Sequence, residues 1–182
     1  MKRRAARSGR GEGRPLPTRL AGPGDSPGFL LWKVSNAWQR RQRAALQPLG
    51  LTHSQFVLLA AATWFGSTEM LTQARLAELT GVDVMTTSQL LRTLESGKLV
   101  ARDPHPDDPR AKTVTVTAQG RELARKAVVI VEATDEAFFA PVAERLGEVV
   151  RLFTELVAAS APDAPAANAR SPTSAVLMPG RG

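Results

Sequence analysis

Between residues 72 and 120 the sequence carries, in order, a short capped helix, a glycine turn, a second helix that opens TTSQLLRTL, and a hairpin whose tip reads HPDDPRAK. Thr72 stands where a side chain accepts from the first free amides of a helix, and Leu71 and Leu76 flank it as a hydrophobic staple. Gly81 falls where a left-handed residue closes that helix, and Asp83 is positioned to cap the next. In this second helix Thr87, Leu90, Leu91 and Leu94 recur at i, i+3, i+4 and i+7 and form the inward face. The hairpin pairs Leu99–Arg102 with Thr113–Thr117, in which Val114 and Val116 alternate with outward threonines. A helix-turn-helix beside a basic hairpin suits a DNA duplex, with one element in the major groove and the other along the backbone.

The rest of the chain supplies helices. Ser26 with Pro27 marks an N-cap and first helical residue, and Leu31, Val34, Trp38 and Ala45 continue at helical spacing until Pro48. Thr52 and Gln55 form a capping box for a helix that stops near Gly66, with Leu51 and Phe56 as its staple. Thr117 caps a long helix with the stripe Leu123, Ala127, Ile130, Val131 and Phe138. Pro141 interrupts it, and a sixth helix is expected to resume at once with Val142, Leu146, Val149, Val150, Phe153 and Val157 at near-heptad spacing. The first, fifth and sixth helices carry more apolar surface than so small a core covers, so a second subunit is expected, through Leu31, Phe138, Phe139, Leu146, Val150 and Phe153.

Composition narrows the function more than the fold. The 182 residues include 43% hydrophobic ones, enough for one core-bearing domain. With no cysteine, disulfides, thiolate nucleophiles and zinc knuckles are excluded. No apolar run approaches the roughly 20 residues that cross a bilayer, and the N-terminal residues lack a signal-like apolar stretch, so a cytoplasmic protein without membrane contact is expected. The net charge of +7 invites a nucleic-acid reading, but Lys2, Arg3, Arg4, Arg7, Arg10, Arg14 and Arg19 against Glu12 and Asp25 put +5 of it in the first 28 residues. Any grip on DNA therefore depends on where cations lie within the domain. Residues 1–25 are rich in Arg, Gly and Pro, and 160–182 in Pro, Ala and Ser; both read as disordered tails around a domain at 26–159. Within it the DNA-binding lobe spans about 52–117, and helices at about 27–47 and 118–159 form the dimerisation layer.

From residue 27 to 158 the sequence resembles the MarR family of bacterial transcriptional regulators. The resemblance is carried by GVDVMTTSQLLRTLE, by the wing DDPRAKTVTVTAQG, and most specifically by Asp108, Arg110, Val114, Val116, Thr117 and Gly120, which match the family's D-x-R wing, strand and T-x-x-G. It implies a mainly α fold with a small β-wing: a winged helix-turn-helix plus a helical dimerisation layer, acting as a homodimer on pseudo-palindromic promoter DNA, usually as a repressor. It also implies that Arg110 enters the minor groove with Asp108 holding it. Two departures stand out. Gln89 occupies a position where the family often has arginine, and an amide pairs best with adenine. Gly97 precedes Lys98 where the family usually has the reverse order, so either Lys98 takes a left-handed backbone or the helix ends earlier.

The candidate DNA contacts are accordingly Thr86, Thr87, Ser88, Gln89 and Arg92 on the second helix, with Arg110, Lys112 and His105 on the wing. Gln73 and Arg75 are placed to meet phosphates. Trp32, Trp38, Phe56 and Trp64 lie where the family often has a cleft for aromatic or phenolic ligands, although aromatics at helical spacing are more often plain core. His53, in the first turn of its helix, reads as exposed or capping, and Glu132, Asp135 and Glu136 as the wet face of the fifth helix. No metal-ligand spacing, phosphate loop or nucleophile turn is present, so neither an enzyme nor a cofactor is expected. A winged-helix module for protein assembly, without sequence-specific DNA binding, is the competing reading.

Overall fold

The computed structural model describes residues 16–160; most of the two expected tails lies outside them. Helices α1 (Pro27–Leu46), α2 (His53–Phe65), α3 (Gln73–Thr80) and α4 (Val84–Ser96) precede strands β1 (Val100–Pro104) and β2 (Lys112–Val116), and α5 (Ala118–Phe139) and α6 (Leu146–Ala159) follow. The result is mainly helical with one two-stranded antiparallel sheet. Among the described residues no helix is long and apolar enough to cross a membrane.

Side-chain caps explain where the first four helices begin. Ser26 accepts from the Phe29 amide, Thr52 and Gln55 complete a reciprocal capping box, and Thr72 and Asp83 accept from Arg75 and Thr86. Pro23–Asp25 form a single 3-10 turn ahead of Ser26, so this part of the expected N-terminal tail is structured. Gly81 adopts φ +68°, as the turn between α3 and α4 requires. After α4 the left-handed position falls on Lys98, at φ +58°, while Gly97 keeps an ordinary φ of −76°. The inverted Gly-Lys order therefore leaves the helix end in place and moves the strained backbone onto a residue with a Cβ.

The strands reach closer to the hairpin tip than expected, pairing Val100 with Val116, Arg102 with Val114 and Pro104 with Lys112. β2 is held on its other side by the Val114 amide donating to Leu71 O at 2.8 Å and by a bridge between Thr72 and Thr113. Pro104, which has no N–H, thus lies on the edge strand. Val114 and Val116 point into a core with Leu46, Leu58, Leu59, Leu71, Leu76, Leu91 and Leu94, which ties the wing to the helix-turn-helix.

The chain divides into two compact units, one through Phe138 and one from Phe139. In the first, only the C-terminal end of α1 is buried, at Gln42 and Leu46, while Phe29, Leu30, Leu31, Trp32 and Val34 are exposed. The second unit corrects the expectation that a helix resumes immediately at Pro141. Ala140–Arg145 form a 3-10 segment with Val142 at φ −126° before α6 begins, because Pro141 cannot donate to the α-helical ladder and crowds the preceding turn. Along α6, Leu146, Val150, Leu152, Phe153, Leu156 and Val157 are all exposed.

Candidate nucleic-acid interface

Because the turn at Gly81 and the Asp83 cap fix the start of α4, they also fix which residues it shows to solvent. Both the hydroxyl and the amide of Thr86 hold the Asp83 carboxyl below its ordinary value. Thr87, Leu91 and Leu94 are buried against α2 and α3. Thr87 is fully buried, and its hydroxyl donates to Val82 O at 3.4 Å. It is a core residue, and its placement among the DNA contacts is corrected. The period that makes it inward is the one that turns Thr86, Gln89 and Arg92 outward, where they are exposed.

Ser88 and Arg92 face a cleft of about 480 Å³ whose other wall is the wing, with Arg110 and Lys112, and whose floor includes Gln73. Five residues expected at the interface, far apart in sequence, thus converge on one cationic cleft. Its fourth cation, Arg102, is committed elsewhere: its Nε donates to Glu95 Oε2 at 2.9 Å, locking the base of the wing to α4. That ion pair holds the Glu95 carboxyl below its ordinary value. Arg92, Arg110 and Lys112 are therefore the cations presented outward, and no carboxylate pairs with them among the described residues.

The wing tip is built from backbone bonds. Asp108 Oδ1 accepts from the Arg110 amide at 2.9 Å, and Asp108 O from the Ala111 amide at 3.0 Å. Asp108 therefore shapes the turn that carries Arg110 and does not grip its guanidinium, which stays exposed. His105 Nδ1 accepts from the Asp107 amide at 3.1 Å, which leaves the neutral ring's proton on Nε2, able to donate outward.

Arg75 is corrected. Its Nε donates to Glu69 at 3.1 Å and its Nη1 to Glu78 at 2.8 Å, so two carboxylates already offset its charge, and it links α3 to the loop before it. Gln73 donates to Val84 O at 3.3 Å, a bond that spans the helix-turn-helix from inside the cleft.

The four aromatic residues expected around one ligand cleft do not meet. Trp32 is 63% exposed on α1 and stacks on Phe29, and Phe56 is core. Trp38 donates from Nε1 to Asp135 at 2.6 Å and packs edge-on against His53, with ring centres 4.7 Å apart. Trp64, 78% exposed, lines a separate groove of about 580 Å³ between α2 and α5, beside Thr63, Ala124, Arg125 and Val128. His53 is half-buried, not exposed; desolvation pushes it below its ordinary value, opposed by the charge of Asp135. Asp135 also leaves the wet-face reading, since it accepts from Gln42 as well, at 2.7 Å. This junction of α1 and α5 joins residues 93 and 97 positions apart, and no local pattern marks it. Among the described residues no cluster of His, Asp or Glu could hold a metal ion.

The model of the MarR family matches residues 51–112, which run from α2 to the wing. The chain is 40% identical over 124 residues to the uncharacterised HTH-type transcriptional regulator YdcH of Bacillus subtilis, covering 68% of this chain and 84% of that protein. It is 37% identical to the HTH-type transcriptional repressor Rv2887 of Mycobacterium tuberculosis, covering 61% and 78%. The crystal structure of Rv2887 with p-aminosalicylic acid superposes with a TM-score of 0.58 at 32% identity, over 72% of this chain and 98% of that one. CouR of Rhodococcus jostii bound to p-coumaroyl-CoA superposes with a TM-score of 0.64 at 26% identity, over 77% and 94%.

Proposed function

Because this chain belongs to the MarR family of DNA-binding transcriptional regulators, we propose that it works as a homodimer in which α4 enters the major groove and the wing carries Arg110 to the adjacent minor groove. The observation that carries this reading is the cleft on which Ser88, Arg92, Arg110 and Lys112 converge, with Arg92, Arg110 and Lys112 directed outward and, among the described residues, in no ion pair with a carboxylate. Arg110 gains from the enhanced negative potential of a narrow minor groove, and Asp108 lowers the ordering cost by fixing the backbone beneath it. Lys112, Arg92 and the His105 Nε2 proton serve as phosphate contacts.

Dimerisation covers two exposed apolar faces, each within its own unit: the first half of α1, with Phe29, Leu31 and Trp32, and α6, with Val150, Phe153 and Leu156. Two copies then present their recognition helices one duplex turn apart, and half-sites lie about 10 base pairs apart. The effector is an aromatic acid that stacks on Trp64 in the α2–α5 groove, with its carboxylate toward Arg125. The aromatic acid named for Rv2887 supports this chemistry, and the p-coumaroyl group named for CouR supports its aromatic part.

The test is titration of duplex fragments from the chain's own upstream region, with the full chain, at two salt concentrations. Tight binding that falls steeply with salt is expected, as counterion release from several phosphates requires. Weak binding with a flat salt response would favour an assembly module.

A further inference from the structure

On α4 the direction opposite the buried residues Thr87, Leu91 and Leu94 is occupied by Met85, Gln89 and Arg92, spaced i, i+4 and i+7. Met85 is 72% exposed. A lone exposed methionine elsewhere would need no explanation. Here an unbranched apolar arm holds the middle of the face that the proposed function turns toward the base edges, at the end of the helix that enters the groove first.

We propose that Met85 and Gln89 make each half-site specific for an A·T step, Gln89 pairing with adenine and Met85 packing on a thymine methyl group. The assignment rests on the DNA-binding reading above and adds the sequence it selects. Side chains at i and i+4 lie about 5–6 Å apart, and stacked bases about 3.4 Å, so both reach the same or neighbouring base pairs. A primary amide matches adenine N6 and N7 in a bidentate pair. The thioether arm of Met85 offers no donor and only a weak acceptor. The C5 methyl of thymine is the apolar group that the major-groove base edges present. Under Met85 a cytosine amine or guanine carbonyl would lose water and gain no partner, so the preference has a repulsive side as well as an attractive one. Arg92, one turn further along, supplies the charge that anchors the stripe.

The experiment selects duplexes from a random library with the full chain and then replaces each selected thymine with uracil, which removes only the C5 methyl. Selected half-sites are expected to share an A·T step. Uracil at a single position of one half-site weakens the wild type about fourfold, the worth of one buried methyl. Met85→Ala binds thymine and uracil sites equally, and Gln89→Ala loses at least about fivefold of its preference for adenine at the same or the next pair. Both side chains are exposed, so unchanged melting temperatures are expected and verify that the variants fold. Selected sites indifferent to uracil throughout, or a Met85→Ala protein that keeps the thymine preference, would overturn the assignment and leave the regulator reading intact. Failure to enrich any duplex at low salt would overturn both.

Discussion

Gly120 gives a prediction whose sign depends on tertiary structure. It lies in the first turn of α5, where helix propensity alone says that alanine is better than glycine by about 1 kcal/mol. A Cβ built there would stand 2.0 Å from Leu99 O, 2.9 Å from the Leu99 carbonyl carbon and 2.9 Å from Val116 Cγ1. The obstacle is backbone, and it is held: Leu99 O accepts from the Thr117 amide at 3.0 Å and from the Thr117 hydroxyl at 3.2 Å. Ordinary carbon-to-oxygen contacts run at about 3.3–3.6 Å, so the start of α5 and the end of β1 must separate by more than about 1 Å. Overpacking costs about 1–3 kcal/mol, and each weakened hydrogen bond about 1 kcal/mol. Against a propensity gain of about 1 kcal/mol, Gly120→Ala should destabilise by about 3 kcal/mol, or about 6–12 °C in Tm for a chain of this size. The assay is urea unfolding at a fixed protein concentration, so that dimer mass action is constant, with the midpoint falling at an unchanged slope. Gly97→Ala is the control, because an added Cβ there meets nothing closer than 3.5 Å and stability should hold or rise slightly. A Gly120→Ala protein as stable as the wild type would mean that the Leu99 carbonyl yields to the added methyl at no cost.

Other substitutions probe the remaining elements. Lys98→Gly relieves a left-handed backbone at φ +58° and should raise stability by about 0.5–1 kcal/mol, read from the urea midpoint. Arg110→Ala should reduce affinity for a selected duplex at least tenfold and flatten its salt dependence, with the Tm unchanged; an unaltered salt slope counts against the wing contact. Asp135→Ala leaves the fully buried Gln42 amide and the Trp38 indole without their shared acceptor, so a loss of about 2–4 kcal/mol is expected by chemical denaturation. Burial depresses His53 in the folded state, so the unfolded chain binds more protons as pH falls from its ordinary value of 6.5. The stability it contributes is complete above that pH and is lost below it. His53→Gln should flatten the pH dependence of Tm in that window, and an unchanged profile would remove His53 as its source.

What the sequence settled by itself is local. Thr52, Thr72, Asp83 and Thr117 announce helix starts because a cap acts within three residues, and Gly81 announces a turn because a positive φ disfavours any other residue. The inward stripe of α4 and the alternation of Val114 and Val116 follow from periods of 3.6 and 2, so the order of elements was legible from spacing alone. The same period, applied to the buried Thr87, removes it from the polar face it seemed to join. Tertiary structure decided what depends on partners distant in sequence. It engaged Arg75 with Glu69 and Glu78, turned Asp135 from surface to half-buried acceptor, separated Trp64 from Trp38, and brought Arg92 of α4 to the cleft shared with Arg110 of the wing. A charge or a ring carries no mark of what will stand across from it. That is fixed only when packing brings the two segments together, so spacing revealed the scaffold while the folded chain decided which side chains share a cleft.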